Sequence, residues 1–284
     1  MADKKQVVET IKKSMEELPP LSPVIKKIIE ITYSPKSSAQ DLADVILRDT
    51  VLTAKVLKMV NSAYFGPRNN FTNLKQSIVI LGTNTVKNVA LSSAVLTTLR
   101  TGKVTPLNEE EFWKYSFGVG VASKKIASLM GINSSQLEEF FVAGLIHDIG
   151  KVMISYAFPQ EFKQIDEMSK KGQHSIMEIE KKVLGYSHEE IGIGMGKQWG
   201  FDEGYLYAIG KHHIPVLKGE FAKYSMIVAL ASYMVSSLEV SLYKGHMEPL
   251  PEDIWATIGV DSEKVMKSLS NINDDINAAR VFLS

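Results

Sequence analysis

Val-Ala-Gly-Leu-Ile-His-Asp-Ile-Gly-Lys, residues Val142 to Lys151, is an apolar run that closes on an adjacent imidazole and carboxylate. Its pattern predicts a buried helix carrying His147 and Asp148 near its end, with Gly150 stopping it. Neighbouring side chains leave a helix about 100° apart, so this pair can face one cation only from the helix flank. Other helices would then have to bring further donors.

Working outward, apolar residues recur at helical spacing over nearly the whole chain, and no stretch alternates between hairpin signals. The expected fold class is all-α. Upstream, Val7, Val8, Ile11, Met15 and Leu18 form one stripe ended by Pro19-Pro20, and Ser22-Pro23 starts a second helix through Val24, Ile25, Ile28, Ile29 and Ile31. Ser38-Ala-Gln-Asp41 reads as a capping box, Thr50 as the start of a helix ending at Asn61-Ser62-Ala63-Tyr64, and Asn73 as the cap of a short helix stopped by Gly82. Thr83 opens a longer one.

The polar stretch Thr101 to Asn108 is the expected boundary, giving an N-terminal lobe over 1–107 and a second over 108–284. In the second lobe, Glu109 to Met130 is a long helix containing Trp113, and Ser135 opens the helix that carries the His-Asp pair. Ser187-His-Glu-Glu190 caps a helix over Ile191 to Trp199, Asp202 caps one ending at His212-His213, and a long apolar helix spans about Tyr224 to Leu242. Asp261 caps the last segment.

With 284 residues and 45% apolar content the chain can bury a sizeable core. Lysine plus arginine equals aspartate plus glutamate at 32 each, so overall charge gives no reason to expect nucleic-acid or membrane binding. Cysteine is absent, which excludes disulfides, thiolate zinc sites and cysteine nucleophiles together; a metal would need His, Asp or Glu. Neither an apolar leader nor a membrane-spanning run is read, and a soluble cytoplasmic protein is expected.

The stretch around His147 and Asp148 resembles the signature of the HD superfamily, metal-dependent phosphohydrolases named for that pair. The N-terminal half is similar to the HDOD subfamily, the HD-related output domain of bacterial signalling. The resemblance is carried by Leu18-Pro-Pro-Leu21, Ile46-Leu-Arg-Asp49, Leu52-Thr-Ala54, Val60-Asn-Ser-Ala-Tyr64 and Ile78-Val-Ile-Leu-Gly82, and its recognisable core runs over about 15–215. Thr50 stands where the family usually has proline, and threonine can cap the helix that proline would begin.

The resemblance implies a tandem-metal lineup in which His147 and Asp148 are the defining pair, His188 the next ligand and His212-His213 the paired histidines, with Asp148 as bridging carboxylate. Two expected ligands are missing. Tyr115 falls where the family has its first histidine, and Ser232 where it has its late aspartate. What remains would serve a single divalent cation (Fe, Mn, Ni or Zn), or a mutual hydrogen-bond network with no cofactor. The resemblance therefore implies a non-enzymatic regulatory or output module of bacterial signal transduction, acting on a signalling protein or a small-molecule or nucleotide ligand. The alternative is a phosphohydrolase acting on a nucleotide or second messenger through a reduced metal site.

Other signals have plainer readings. Gly192-Ile-Gly-Met-Gly196 lies in a helical stretch without the preceding strand that a phosphate-binding loop needs, so its glycines, like Gly118 and Gly120, are read as close helix contacts. Seven basic residues between Asp41 and Arg100, among them Lys55, Lys58 and Lys87, are read as a solvated face rather than a nucleic-acid surface. Asp49, Asn61, Ser62 and Tyr64 are the candidates for inter-lobe or partner contact.

Overall fold

Side chains that accept hydrogen bonds from free backbone N–H groups set eight of the helix starts in the computed structural model, which describes residues 4–17, 23–33, 38–65, 71–99, 104–238 and 249–279. Ahead of the expected boundary, the part of the chain called the first lobe below contains α1 (Lys4–Glu17), α2 (Pro23–Tyr33), α3 (Ala39–Ile46), α4 (Thr50–Val60), α5 (Leu74–Leu81) and α6 (Thr83–Leu99). Ser38 and Asp41 form the expected capping box on α3, and Asn73 caps α5. Asp49, rather than Thr50, caps α4: its Oδ1 accepts from Leu52 N at 2.9 Å, and Thr50 takes the first helical position where proline would also fit.

The second lobe runs through α7 (Glu109–Leu129), α8 (Leu137–Ile146), α9 (Ile149–Ala157), α10 (Pro159–Ser169), α11 (Ile176–Leu184), α12 (His188–Trp199), α13 (Glu203–Gly210) and α14 (Ala222–Ser237). It closes with α15 (Ile254–Ile258), α16 (Ser262–Ser268) and α17 (Ile272–Ala279). No strand occurs among the described residues, in agreement with the all-α expectation. Leu18 to Ser22, Gly66-Pro67, Arg68, Arg100 and the stretch beyond Leu238 to Leu242 lie outside the described residues.

Several boundaries differ from the sequence reading for local reasons. Ser187 and Glu190 do form a capping box, but the helix starts at once with His188, because a box closes on the first turn and not after it. Helix α13 ends at Gly210, so His212 and His213 sit in the loop behind it. The largest correction concerns Gly150. It does not stop a helix; it is the second residue of α9, and the break falls two residues earlier, at Asp148 (φ −103°, ψ 14°) between α8 and α9.

Packing follows from residue size at the crossings. Helix α6 has 14 of its 17 residues buried, polar Asn88, Ser92 and Ser93 among them, and it lies against α2, α4, α5 and, in the other lobe, α8. Helices α7 and α8 touch backbone to backbone: a Cβ on Gly144 would sit 2.6 Å from Val119 O, and one on Gly120 would sit 2.8 Å from Phe141 O. Gly192 and Gly196 make room instead for the side chains of Ile209 and Leu206 of α13, while Gly194 looks into open space. The buried apolar residues from Val7 to Ile276 join in one cluster across both lobes, and Tyr205 donates to Asn88 Oδ1 at 3.1 Å to tie α13 to α6.

The span Ser134–Ala157 is apolar and long enough to cross a membrane by composition, but 83% of its most apolar window is buried inside the fold. Its apolarity is spent on the core.

Candidate metal centre

The break between α8 and α9 aims His147 and Asp148 at the same interior space, and both are about 1% exposed. Helix α12 delivers His188 from its first position, also fully buried, and the loop after α13 delivers His212 and His213. One donor atom from each of Asp148, His188, His212 and His213 lies within 4.8 Å of all the others. The resemblance implied these four residues together with His147, whose Nε2 lies 3.4 Å from Asp148 Oδ2.

Three of these atoms make a nearly equilateral triangle. Asp148 Oδ1 is 3.2 Å from His188 Nε2 and 3.4 Å from His212 Nε2, and the two nitrogens are 3.3 Å apart. Donors each about 2.0–2.1 Å from a tetrahedral metal are about 3.3–3.4 Å from one another. The spacing fits a first-row divalent cation.

The outer hydrogen bonds fix which ring nitrogens face inward. Backbone carbonyls only accept, so His147 Nδ1 donates to Gly144 O at 2.7 Å and His212 Nδ1 donates to Ile209 O at 3.0 Å. His188 Nδ1 lies 2.7 Å from Glu180 Oε2, which also accepts from the His188 backbone N–H at 2.8 Å. With Nδ1 so engaged, each ring in its neutral form turns an Nε2 lone pair toward Asp148, the orientation that metal-binding histidines take. Among the described residues, His147 Nε2 and Asp148 Oδ1 have no hydrogen-bond partner although both are buried.

Electrostatics favour the neutral form at two of the three rings. Burial pushes the His147 imidazole down to about 3, and burial together with the Lys151 charge holds His188 well below the usual histidine range. Burial alone would raise Asp148, but the Lys151 ammonium and the surrounding imidazoles hold it well below the ordinary carboxylate value. His212 resists burial and moves up, because the Asp148 and Glu189 carboxylates favour its protonated form. Burial pushes Glu180 up to about 7 against the pull of Lys151.

Two residues of this shell were not singled out by sequence reasoning. Glu180 is 2% exposed, and Met177, Glu180 and Leu184 share the buried face of α11; a carboxylate at an apolar-face position was the available signal. Lys151 is 4% exposed with its Nζ 2.6 Å from Asp148 Oδ2; it was read only as part of a motif. Glu189 steadies the loop histidines, accepting from His213 N at 3.0 Å.

Tyr115 of α7 and Ser232 of α14 come together, with their hydroxyl oxygens 2.7 Å apart and the Tyr115 ring 5.7 Å from that of His147. The candidates in the first lobe lie elsewhere. Asp49 is spent on its cap, and Asn61 pins the chain at Phe71 through two bonds of 2.7 and 3.0 Å. Ser62 Oγ is buried near that corner. Tyr64 reaches across to the second lobe, packing on Phe141 at 5.2 Å with Lys124 above its ring at 4.4 Å and its hydroxyl 3.5 Å from Glu138. Of the basic residues, Lys87 is buried, and burial lowers its pKa, while Lys55 donates to Thr97 Oγ1 at 2.9 Å.

The family model for the HDOD domain matches residues 18–215, and the chain belongs to the HDOD family. An HDOD domain protein of Geobacter sulfurreducens superposes with a TM-score of 0.78 at 24% identity, covering 98% of each chain. A Marinobacter aquaeolei protein with a provisional signal-transduction name gives 0.79 at 20% identity over 100% of this chain and 67% of its own. A Shewanella amazonensis protein with a provisional phosphohydrolase name gives 0.76 at 22% identity over 97% and 98%. A Treponema pallidum protein is 20% identical over 264 residues, and this chain spans half the length of that relative.

Proposed function

We propose that the protein is a non-enzymatic regulatory module of bacterial signal transduction, working through protein or ligand binding, with one divalent cation in its second lobe as a structural centre. Asp148, His188, His212 and His213 would hold that cation, which supplies fixed positive charge and ties α8–α9, α12 and the loop after α13 together. Three donors already stand at tetrahedral spacing and His213 would supply the fourth, whereas catalytic centres keep a position open for water or substrate. Burial of Asp148, His188 and His212 at 4% exposure or less supports the closed reading.

The observation that carries the proposal is the Tyr115–Ser232 hydrogen bond of 2.7 Å. By the resemblance, these two groups take the places of an imidazole and a carboxylate in a two-metal hydrolase, and their hydroxyls bond to each other. Burial raises the Tyr115 pKa, with the Asp148 charge adding to it, so the phenol stays protonated and is a poor ligand. Two-metal hydrolysis then lacks half of one metal's protein donors.

The provisional phosphohydrolase name of one structural relative keeps a second reading in play. The experiment is turnover of phosphomonoesters and cyclic dinucleotides by protein loaded with manganese, iron, nickel or zinc. We expect no turnover above that of Asp148→Ala. Turnover that the Asp148→Ala change abolishes would make the protein an enzyme.

A further inference from the structure

Lys124 and Lys125 are consecutive on α7, and both line one recess of about 270 Å³ between α7, the start of α8, α17 and the turn at Ala63–Phe65. That volume is far above the roughly 10–15 Å³ that one water needs, and just below the roughly 300–1,000 Å³ of pockets that take drug-sized molecules. None of the candidate metal ligands lines it.

Val121, Leu137 and Ala278 give the recess an apolar wall. Its charged lining is two ammonium groups against the single carboxylate of Asp275, an excess of one positive charge, with the hydroxyl-bearing Ser128 beside them. A second carboxylate, Glu138, is paired with Lys124 but is 7% exposed and stays out of the lining.

Both lysines are positioned without being saturated. An ammonium has three donors. Lys124 gives one to Glu138 and lies 4.4 Å above the Tyr64 ring; Lys125 gives two, to Ser268 O at 2.7 Å and Asp275 Oδ2 at 2.5 Å. Among the described residues the remaining protons meet no hydrogen-bond acceptor, and the two side chains are 26% and 30% exposed. Donors held in place yet reachable from water lose little freedom when an anion arrives.

We infer that this recess binds a small organic anion, a carboxylate or phosphate monoester on a short apolar body, with its charged oxygens on Lys124 and Lys125 and its body on Val121, Leu137 and Ala278. The site needs no metal and goes beyond the cation centre. Asp275 and Ala278 belong to α17, whereas Tyr64 comes from the first lobe, so an occupant would tie those two parts together across α7.

The test is calorimetric titration of the full chain, stripped of metal and desalted, with phenyl phosphate and with phenylacetate; benzyl alcohol is the uncharged counterpart. We expect one site per chain for at least one anion with a Kd below about 1 mM, and benzyl alcohol at least about tenfold weaker, the loss expected for one charge-assisted hydrogen bond. Lys125→Met should weaken the anion by at least the same factor, and Ala278→Trp, which fills the recess without altering charge, should abolish binding. Tighter phenyl phosphate assigns the site to phosphate monoesters, tighter phenylacetate to carboxylates, and equal affinity to both. The inference is overturned if neither anion binds, if benzyl alcohol binds as tightly, or if the two substitutions leave affinity unchanged. Should either variant not fold, wild-type crystals soaked in phenyl phosphate and phenylacetate decide: density in the recess supports the inference, and its absence there overturns it. Failure on any of these counts leaves the cation centre standing, since the titration is made without metal.

Discussion

Gly150 and His188 are in backbone contact: a Cβ placed on Gly150 would meet the His188 carbonyl oxygen at 1.9 Å and Gly192 N at 3.0 Å. Helix α9 therefore crosses the start of α12 with no room for a methyl group, and that crossing holds Asp148 opposite His188.

Gly150→Ala should consequently destabilise the fold by on the order of 3 kcal/mol, the upper end for overpacking, because the neighbour is backbone and cannot rotate away. Gly194→Ala is the control. It lies inside the same α12, meets nothing within 4 Å, and should gain about 0.5–1 kcal/mol from helix propensity. Urea midpoints of the two variants should move in opposite directions.

Glu180 orients His188 by accepting from both its backbone N–H and its Nδ1. Removal of such an outer partner of a metal ligand costs about 10–100-fold in metal affinity. Glu180→Ala should show that loss in a Zn(II) competition titration while still binding one ion. Unchanged affinity would mean that His188 is held by packing alone.

Tyr115 and Ser232 should be energetically coupled. A double-mutant cycle through Tyr115→Phe and Ser232→Ala is expected to give about 1 kcal/mol of interaction, the usual net worth of one neutral hydrogen bond. Ser236 Oγ, 3.3 Å from the same phenol, limits the loss in Ser232→Ala by taking over as partner, so Tyr115→Phe should be the costlier single change.

At the start of α4, Asp49→Ala should cost about 1 kcal/mol through loss of the cap on Leu52 N. Thr50→Pro should stay within about 0.5 kcal/mol of wild type, since Asp49 already has the extended backbone that precedes proline and position one needs no N–H. Thermal denaturation of the two variants separates cap from first helical residue.

The helical fold was legible because caps and apolar periodicity speak locally: Ser38, Asn73, Ser187, Asp202 and Asp261 each mark a helix start that the structure contains. The histidines and Asp148 were legible through resemblance and spacing. The break at Asp148 was not, because glycine at position 150 signals termination in a sequence while here its service is to a helix 38 residues further on. Lys151 and Glu180 escaped notice because charged residues are normally assigned to solvent, and only the three-dimensional neighbourhood shows that both point inward. Short α15 and α17 near the end were missed for want of strong caps: Asp253 makes no side-chain bond to the helix it precedes.

Helix α6 belongs by chain order to the first lobe, yet nearly all its surface is covered, partly by α8, and the apolar interior passes through it from Val7 to Ile276. Heat or urea should accordingly release the whole molecule in one melting event, with neither half surviving the other. Under the regulatory reading proposed above, a signal reaching the described residues meets one continuous core and would be passed on as a change in docking of that whole body.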